Sequence, residues 1–176
     1  MPLHDCPFTF EQLALDVLPD LFRQLSASSA EGVPMKQALA KPTSVPANPG
    51  CYVVMFDGRP QYVGIAKNLR SRVRQHLTAG PSGANLAVRI AAKSLNLTIT
   101  RVKSHPDFPE SFVKAQSKLH DALTAWVQID NPLVMYLFEP YAAMQFDTGE
   151  FNRFDTLQIL SPKRSIQQNT STVDTL

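Results

Sequence analysis

The stretch GCYVVMFDGRPQYVG, residues 50–64, leaves this chain few options. Two runs rich in strand formers flank Asp57-Gly58, a dipeptide that favours a tight β-hairpin. What the hairpin displays depends on its loop. A two-residue loop at Asp57 and Gly58 pairs Phe56 with Arg59, sets Tyr52 against Val63 and throws Tyr52 and Tyr62 onto opposite faces. A three-residue loop, Phe56 to Gly58, pairs Met55 with Arg59 and puts Tyr52 directly opposite Tyr62. A site shared by the two phenols requires the second register, and that is the expectation.

The chain continues into a basic helix. Asn68 is a cap for a helix running to about Thr78, with Leu69, Val73 and Leu77 as its buried stripe. Arg72 and His76 stand one turn apart on one flank, Arg70 and Arg74 on the other. Further elements follow from pattern and punctuation. Residues 8–25 carry an apolar stripe at Phe10, Leu13, Val17 and Leu21, with Thr9 as cap and Pro19 as a kink or stop. Residues 26–49 form a proline-rich connector with a short helix at 34–40. Helices are expected at 85–95 and over DFPESFVKAQSKLHDAL, a β-rich run at LTITRVKS, and a third core strand at TAWVQID. Asn131-Pro132 opens a last helix, PLVMYLFEPYAAMQF, in which Glu139 is a lone carboxylate and Pro140 loosens the ladder.

Composition bounds the rest. A chain of 176 residues, 44% hydrophobic, has enough material for one good core. The formal charge of +2 does not by itself argue for nucleic acid; the clustering of Lys67, Arg70, Arg72 and Arg74 does. Cys6 and Cys51 match no metal-ligand spacing and read as reduced thiols in a cytoplasmic protein. No secretory signal is visible, and no apolar run approaches the ~20 residues that span a bilayer. Phosphate-cradling G-x-x-x-x-G-K-[ST], G-x-S-x-G, H-E-x-x-H and paired C-x-x-C motifs are absent. His4, His105 and His120 are scattered and read as surface residues.

Tyr52, Tyr62, Arg72, His76 and Glu139 remain. Singly, each is explained by strand or helix packing. Jointly, a base candidate, a cationic phosphate binder and a metal-binding carboxylate are the parts that metal-assisted phosphodiester cleavage needs. GCY, then YVG ten residues on, Arg72, His76, distant Glu139 and Asn152 in GEFN resemble the GIY-YIG nuclease family. YVGIAKNLRSRV is similar to the corresponding stretch of the bacterial excision-repair incision subunit. The Arg-x-x-x-His spacing is similar to that of intron-encoded homing endonucleases. Cys51 and Val63 stand where the motif has isoleucines, and residues 96–122 make a longer insertion than in minimal members.

The resemblance implies an α/β (α+β) fold with a small three-stranded mixed sheet flanked by helices. An N-terminal helix and extra helices between the second and third core strands are added to it. Residues 1–47 would pack on a nuclease domain at 48–155, with a flexible tail at 156–176. It also implies an Mg²⁺-dependent DNA endonuclease, with Mn²⁺ an acceptable substitute. Tyr52 would orient or deprotonate water, Tyr62 position it, Arg72 hold the scissile phosphate, and His76 contact phosphate or assist proton transfer. Glu139 would bind the metal, while Asn152 and Gly64 would brace the site. Lys67, Arg70, Arg74, Arg89 and Lys93 are candidates for backbone contact with duplex or branched DNA, Lys67 also for helping Tyr52. Cutting both strands at one site would call for a homodimer or partner protein. Two other readings stay open: a non-cutting nucleic-acid-binding or protein-interaction module, and a metabolic enzyme for a small phosphorylated ligand.

Overall fold

A computed structural model describes residues 6–152. The tail expected at 156–176 lies outside the described residues. The centre is a four-stranded sheet in the order β1-β4-β2-β3: β1 (Val33–Pro34), β2 (Gly50–Phe56), β3 (Arg59–Ala66) and β4 (Leu123–Gln128). Three strands were expected in a mixed sheet, but all the recorded pairings are antiparallel and β1 is the addition. The two-residue β1 forms where the connector passes β4, with Val33 opposite Thr124. It lies beyond the hydrophobic pattern that makes the other strands legible.

The hairpin corrects the expected register. Its loop is the two-residue one: Asp57 and Gly58 have φ of 55° and 76°, and Phe56 pairs with Arg59. Positive φ at both central positions is what the tight hairpin turn demands, and Asp-Gly tolerates it. The tyrosines nevertheless share a face. β3 carries an extra residue, since Met55 pairs with Pro60 and Val54 with Tyr62, leaving Gln61 unpaired. This bulge shifts the side-chain alternation by one, and Tyr52 then lies opposite Gly64, diagonal to Tyr62. Gln61 Nε2 closes the bulge on the carbonyl of Phe56 at 3.2 Å. Lys118, from a later helix, ties down the turn, 2.6 Å from Asp57 Oδ2 and 4.7 Å from the centre of the Phe56 ring.

Apolar residues alternate along β2 and feed two cores. Tyr52, Val54 and Phe56 pack with α3 (Leu69–Thr78), α4 (Asn85–Ser94) and α6 (Phe108–Asp121). Cys51 and Val53 pack on the other face with Leu25 of α2 (Leu18–Ala30) and with Met135, Phe138 and Ala142 of α7 (Pro132–Gln145). All three expected caps form: Thr9 accepts from Gln12 N–H, Asn68 from Ser71 N–H, and Asn131 from Leu133 and Val134 N–H. Pro19 does not end its helix. A π stretch, Leu13–Val17, links α1 (Phe10–Gln12) to α2 and resets the ladder before the residue that lacks a donor. LTITRVKS is not a strand but contains a single helical turn, α5 (Ile99–Val102). Ile99 leans on the core and Val102 is buried in it, an i,i+3 pair that suits a turn against α4.

β3 is an edge strand, and one side chain covers its middle. Asn152 Oδ1 accepts from Val63 N–H at 2.8 Å, and its Nδ2 donates to Val63 C=O at 2.7 Å. The amide thus stands in for a neighbouring strand. Its position is set by the turn at 148–152, where Asn152 N–H bonds Thr148 C=O and the Phe151 ring packs 5.7 Å from Phe56. Truncating Asn152 to Ala leaves two buried backbone groups unpaired. The expected cost is about 2 to 4 kcal/mol in urea unfolding, and Asn152→Asp, which sets a buried carboxylate oxygen against the Val63 carbonyl, should cost at least as much.

Candidate active site

The bulge gives Tyr52 and Tyr62 ring centroids 6.2 Å apart, on the sheet face covered by α3. Tyr52 is fully buried, and Gly64 explains how. A Cβ at Gly64 would lie 2.6 Å from the Tyr52 hydroxyl oxygen and 2.9 Å from the Tyr62 ring. Tyr52 lies across the space that any side chain at position 64 would take. Its Oη reaches His76 Nε2 at 2.7 Å.

His76 is therefore not at the surface. It is fully buried, and its Nδ1 has no partner. Burial, reinforced by the nearby Arg72 charge, pushes its pKa down to about 3, so the ring is neutral. If the phenol donates to Nε2, the ring proton resides on an unpaired Nδ1; if Nε2 donates, the Nδ1 lone pair is left bare. Either tautomer keeps the imidazole dedicated to Tyr52 and away from solvent.

Arg72 is held from behind. Its Nη1 donates to Gly83 C=O at 3.0 Å and reaches Gln75 Oε1 at 3.3 Å. The guanidinium is half-buried, and its charge acts on Tyr52, Tyr62, His76 and Glu139. Burial raises the pKa of both phenols. For Tyr52, proximity to Tyr62 adds to the rise and Arg72 opposes it. For Tyr62, Arg72 and Arg89 oppose it and Glu139 adds to it. Tyr62 is the more exposed phenol and the one flanked by two cations.

Glu139 comes from the far side of the sheet. α7 packs on β2 and β3 through Met135, Phe138 and Ala142, yet the carboxylate of Glu139 is felt by Tyr62, Arg72 and Cys51. That reach is possible because β3 is an edge that a helix can lap over. Burial raises the Glu139 pKa and Arg72 partly offsets it. Among the described residues the carboxylate has no hydrogen bond or ion pair, and its oxygens are not among the sealed, partnerless atoms. A half-buried carboxylate with no protein partner is a fitting single ligand for Mg²⁺, which draws its other ligands from water and phosphate. No cluster of three or more His, Cys, Asp or Glu residues suited to a metal occurs among the described residues.

The other sequence candidates separate. Arg70 Nε is bound to Val45 C=O at 2.8 Å and ties α3 to the connector. Lys93 pairs with Glu150 and lies 5.4 Å from the Phe151 ring centre. Lys67 and Arg74 are exposed, and neither is among the charges felt by the phenols. Arg89 is the residue whose place the sequence understated. Its charge acts on Tyr62, and the signal was an arginine set within the apolar run of α4. No helix of the described residues is long and apolar enough to cross a membrane.

No family model matches the chain. Among solved structures it is similar to the GIY-YIG N-terminal endonuclease domain of UvrC from Thermotoga maritima, bound to magnesium as its catalytic divalent cation. The two are 17% identical over 66% of this chain and 97% of that one, with a TM-score of 0.39. A point mutant of that domain, also bound to the cation, gives 17% identity over 66% and 96%, again at 0.39. At that identity and overlap, chemistry has to be read from this chain's own side chains.

His76 makes the site acid-sensitive. Between pH 6.5 and about 3 the unfolded chain binds a proton at this ring that the folded chain excludes. Its contribution to stability is full above pH 6.5 and declines as pH falls, by up to ~1.4 kcal/mol per pH unit. Urea unfolding across about pH 4 to 6 should therefore show a shallower acid limb in His76→Gln, by close to one proton. An unchanged slope would mean that the ring is not held neutral.

Proposed function

We propose that this protein is a DNA endonuclease that hydrolyses a phosphodiester bond at the Arg72 site with a divalent metal, Mg²⁺ or Mn²⁺. One arrangement supports the reading: Tyr62, Arg72 and Glu139 come from three separate elements, and the Arg72 charge opposes the burial-driven rise in the pKa of both the phenol and the carboxylate. A metabolic enzyme for a small phosphorylated ligand has no comparable support, because the chain lacks a phosphate loop.

The residues divide the work as follows. Arg72, fixed by Gly83, binds the scissile phosphate and offsets the charge that develops as the phosphorus becomes five-coordinate. The phenol pair orients the attacking water. Tyr52 cannot drift, being locked to His76, and so holds Tyr62 against the cleft. Water adds to phosphorus and gives up its proton to solvent through the phenol side, while the bond to one bridging oxygen breaks and that oxygen takes up a proton from solvent as it leaves. Glu139 would hold the metal, whose charge would stabilise the leaving oxygen. His76, buried and neutral, positions Tyr52 and does not touch phosphate. The exposed Lys67 and Arg74 are the cations free to follow the DNA backbone. The compartment is proposed to be the cytoplasm, and a second copy or a partner would be needed to cut both strands at one site.

Supercoiled plasmid tests this directly. With Mg²⁺ the protein should convert it to nicked or linear forms, and EDTA should stop the conversion. Glu139→Gln and Arg72→Lys should each lose about 10²-fold or more in rate while retaining DNA affinity within a few fold. Plasmid left intact across several metals, with salt-sensitive DNA binding retained, would instead identify a binding module on the same fold.

A further inference from the structure

Between α4 and the turn at 148–152 lies a cavity of about 330 Å³. Arg89, Lys93, Asn96, Leu97, Glu150 and Phe151 are among its lining residues. We propose that it takes a single unpaired nucleobase of the strand being cut, next to the scissile phosphate. The proposal rests on the nuclease reading above.

Arg89 joins the two places. It lines the cavity, and its charge opposes the burial-driven rise of the Tyr62 pKa. Glu150 and Phe151, also in the lining, adjoin Asn152, whose amide pairs with Val63 next to Tyr62. The Arg89 guanidinium makes no hydrogen bond or ion pair among the described residues. Nη1 is sealed from solvent, and the part of the residue that lines the cavity is what a ligand would meet.

The rest of the lining says what kind of acceptor. Glu150 lies in the same cavity, paired with Lys93 and 3.9 Å from Arg59. A carboxylate repels a backbone phosphate but accepts from the amino or imino groups of a base. Leu97, Ile99 and Phe151 add apolar surface for a flat ring. Size agrees, because the cavity sits at the small end of ligand sites and has room for one base, not a pair. A base that uses its edge on Arg89 and Glu150 has to be free of its complement. The favoured substrates are therefore single-stranded, branched or locally opened DNA.

The test separates base from backbone and does not require cutting. Affinities of the full chain, in EDTA, are measured by fluorescence anisotropy for two single-stranded oligonucleotides of equal length. One is intact and the other carries a central abasic block. Wild type should bind the intact strand about tenfold tighter. Thr98→Trp, which fills the cavity from its exposed rim, should lower the intact strand's affinity to that of the abasic one and leave the abasic affinity unchanged. Glu150→Gln, nearly isosteric, should reduce the preference several-fold if the tryptophan variant folds poorly. Equal affinity for both strands in wild type, or a preference that survives both variants, overturns the proposal. Plasmid nicking without base preference removes this inference and leaves the nuclease; base preference without nicking overturns the nuclease and, with it, the placement beside a scissile phosphate, leaving a base-binding cavity.

Discussion

One unpaired residue in an edge strand governs the whole site. With a regular two-residue hairpin, Tyr52 and Tyr62 would project to opposite sides of the sheet. Gln61, inserted as a bulge and closed onto the Phe56 carbonyl, turns both phenols toward α3. The bulge also sets Gly64 opposite Tyr52, and only glycine leaves room for a phenol to lie across the strand. From there Tyr52 meets His76, and the burial of that pair fixes Tyr62 beside the Arg72 charge. Local backbone geometry thus decides which side chains can act together.

The edge position of β3 matters equally. A central strand would be flanked by neighbours and would shut α7 off from the tyrosine face. At the edge, α7 packs against the opposite core and still brings Glu139 within electrostatic reach of Arg72. The exposed backbone that such an edge would present is answered at its middle by the Asn152 amide. Arg72 is the one cation common to the phenols, the imidazole and the carboxylate. Its charge reinforces the burial that keeps His76 neutral, and it opposes the burial-driven rise in pKa of Tyr52, Tyr62 and Glu139.

Much of this was legible in the sequence. The Asp-Gly turn, the stripe Leu69-Val73-Leu77, and the Asn68 and Asn131 caps each have a short-range cause, and each formed where expected. The bulge was not legible, because alternation read from a single strand cannot reveal one extra residue relative to its partner. The same holds for β1, whose two residues exist as a strand only because β4 lies beside them. LTITRVKS misled because β-branched residues score for strands; the i,i+3 contact of Ile99 and Val102 with the core won. His76 was placed on a helix flank correctly, but burial depends on what covers the flank. Arg89 looked like one more surface cation, and only the fold set it against Tyr62.

The metal site proposed at Glu139, facing Arg72 and the phenols, is open to direct inspection by anomalous scattering from crystals soaked in Mn²⁺. The account predicts one dominant manganese peak bonded to a Glu139 carboxylate oxygen, on the side facing Tyr62 and Arg72, and its loss in Glu139→Gln. A peak elsewhere that survives that substitution, with the Glu139 carboxylate bare, would contradict it.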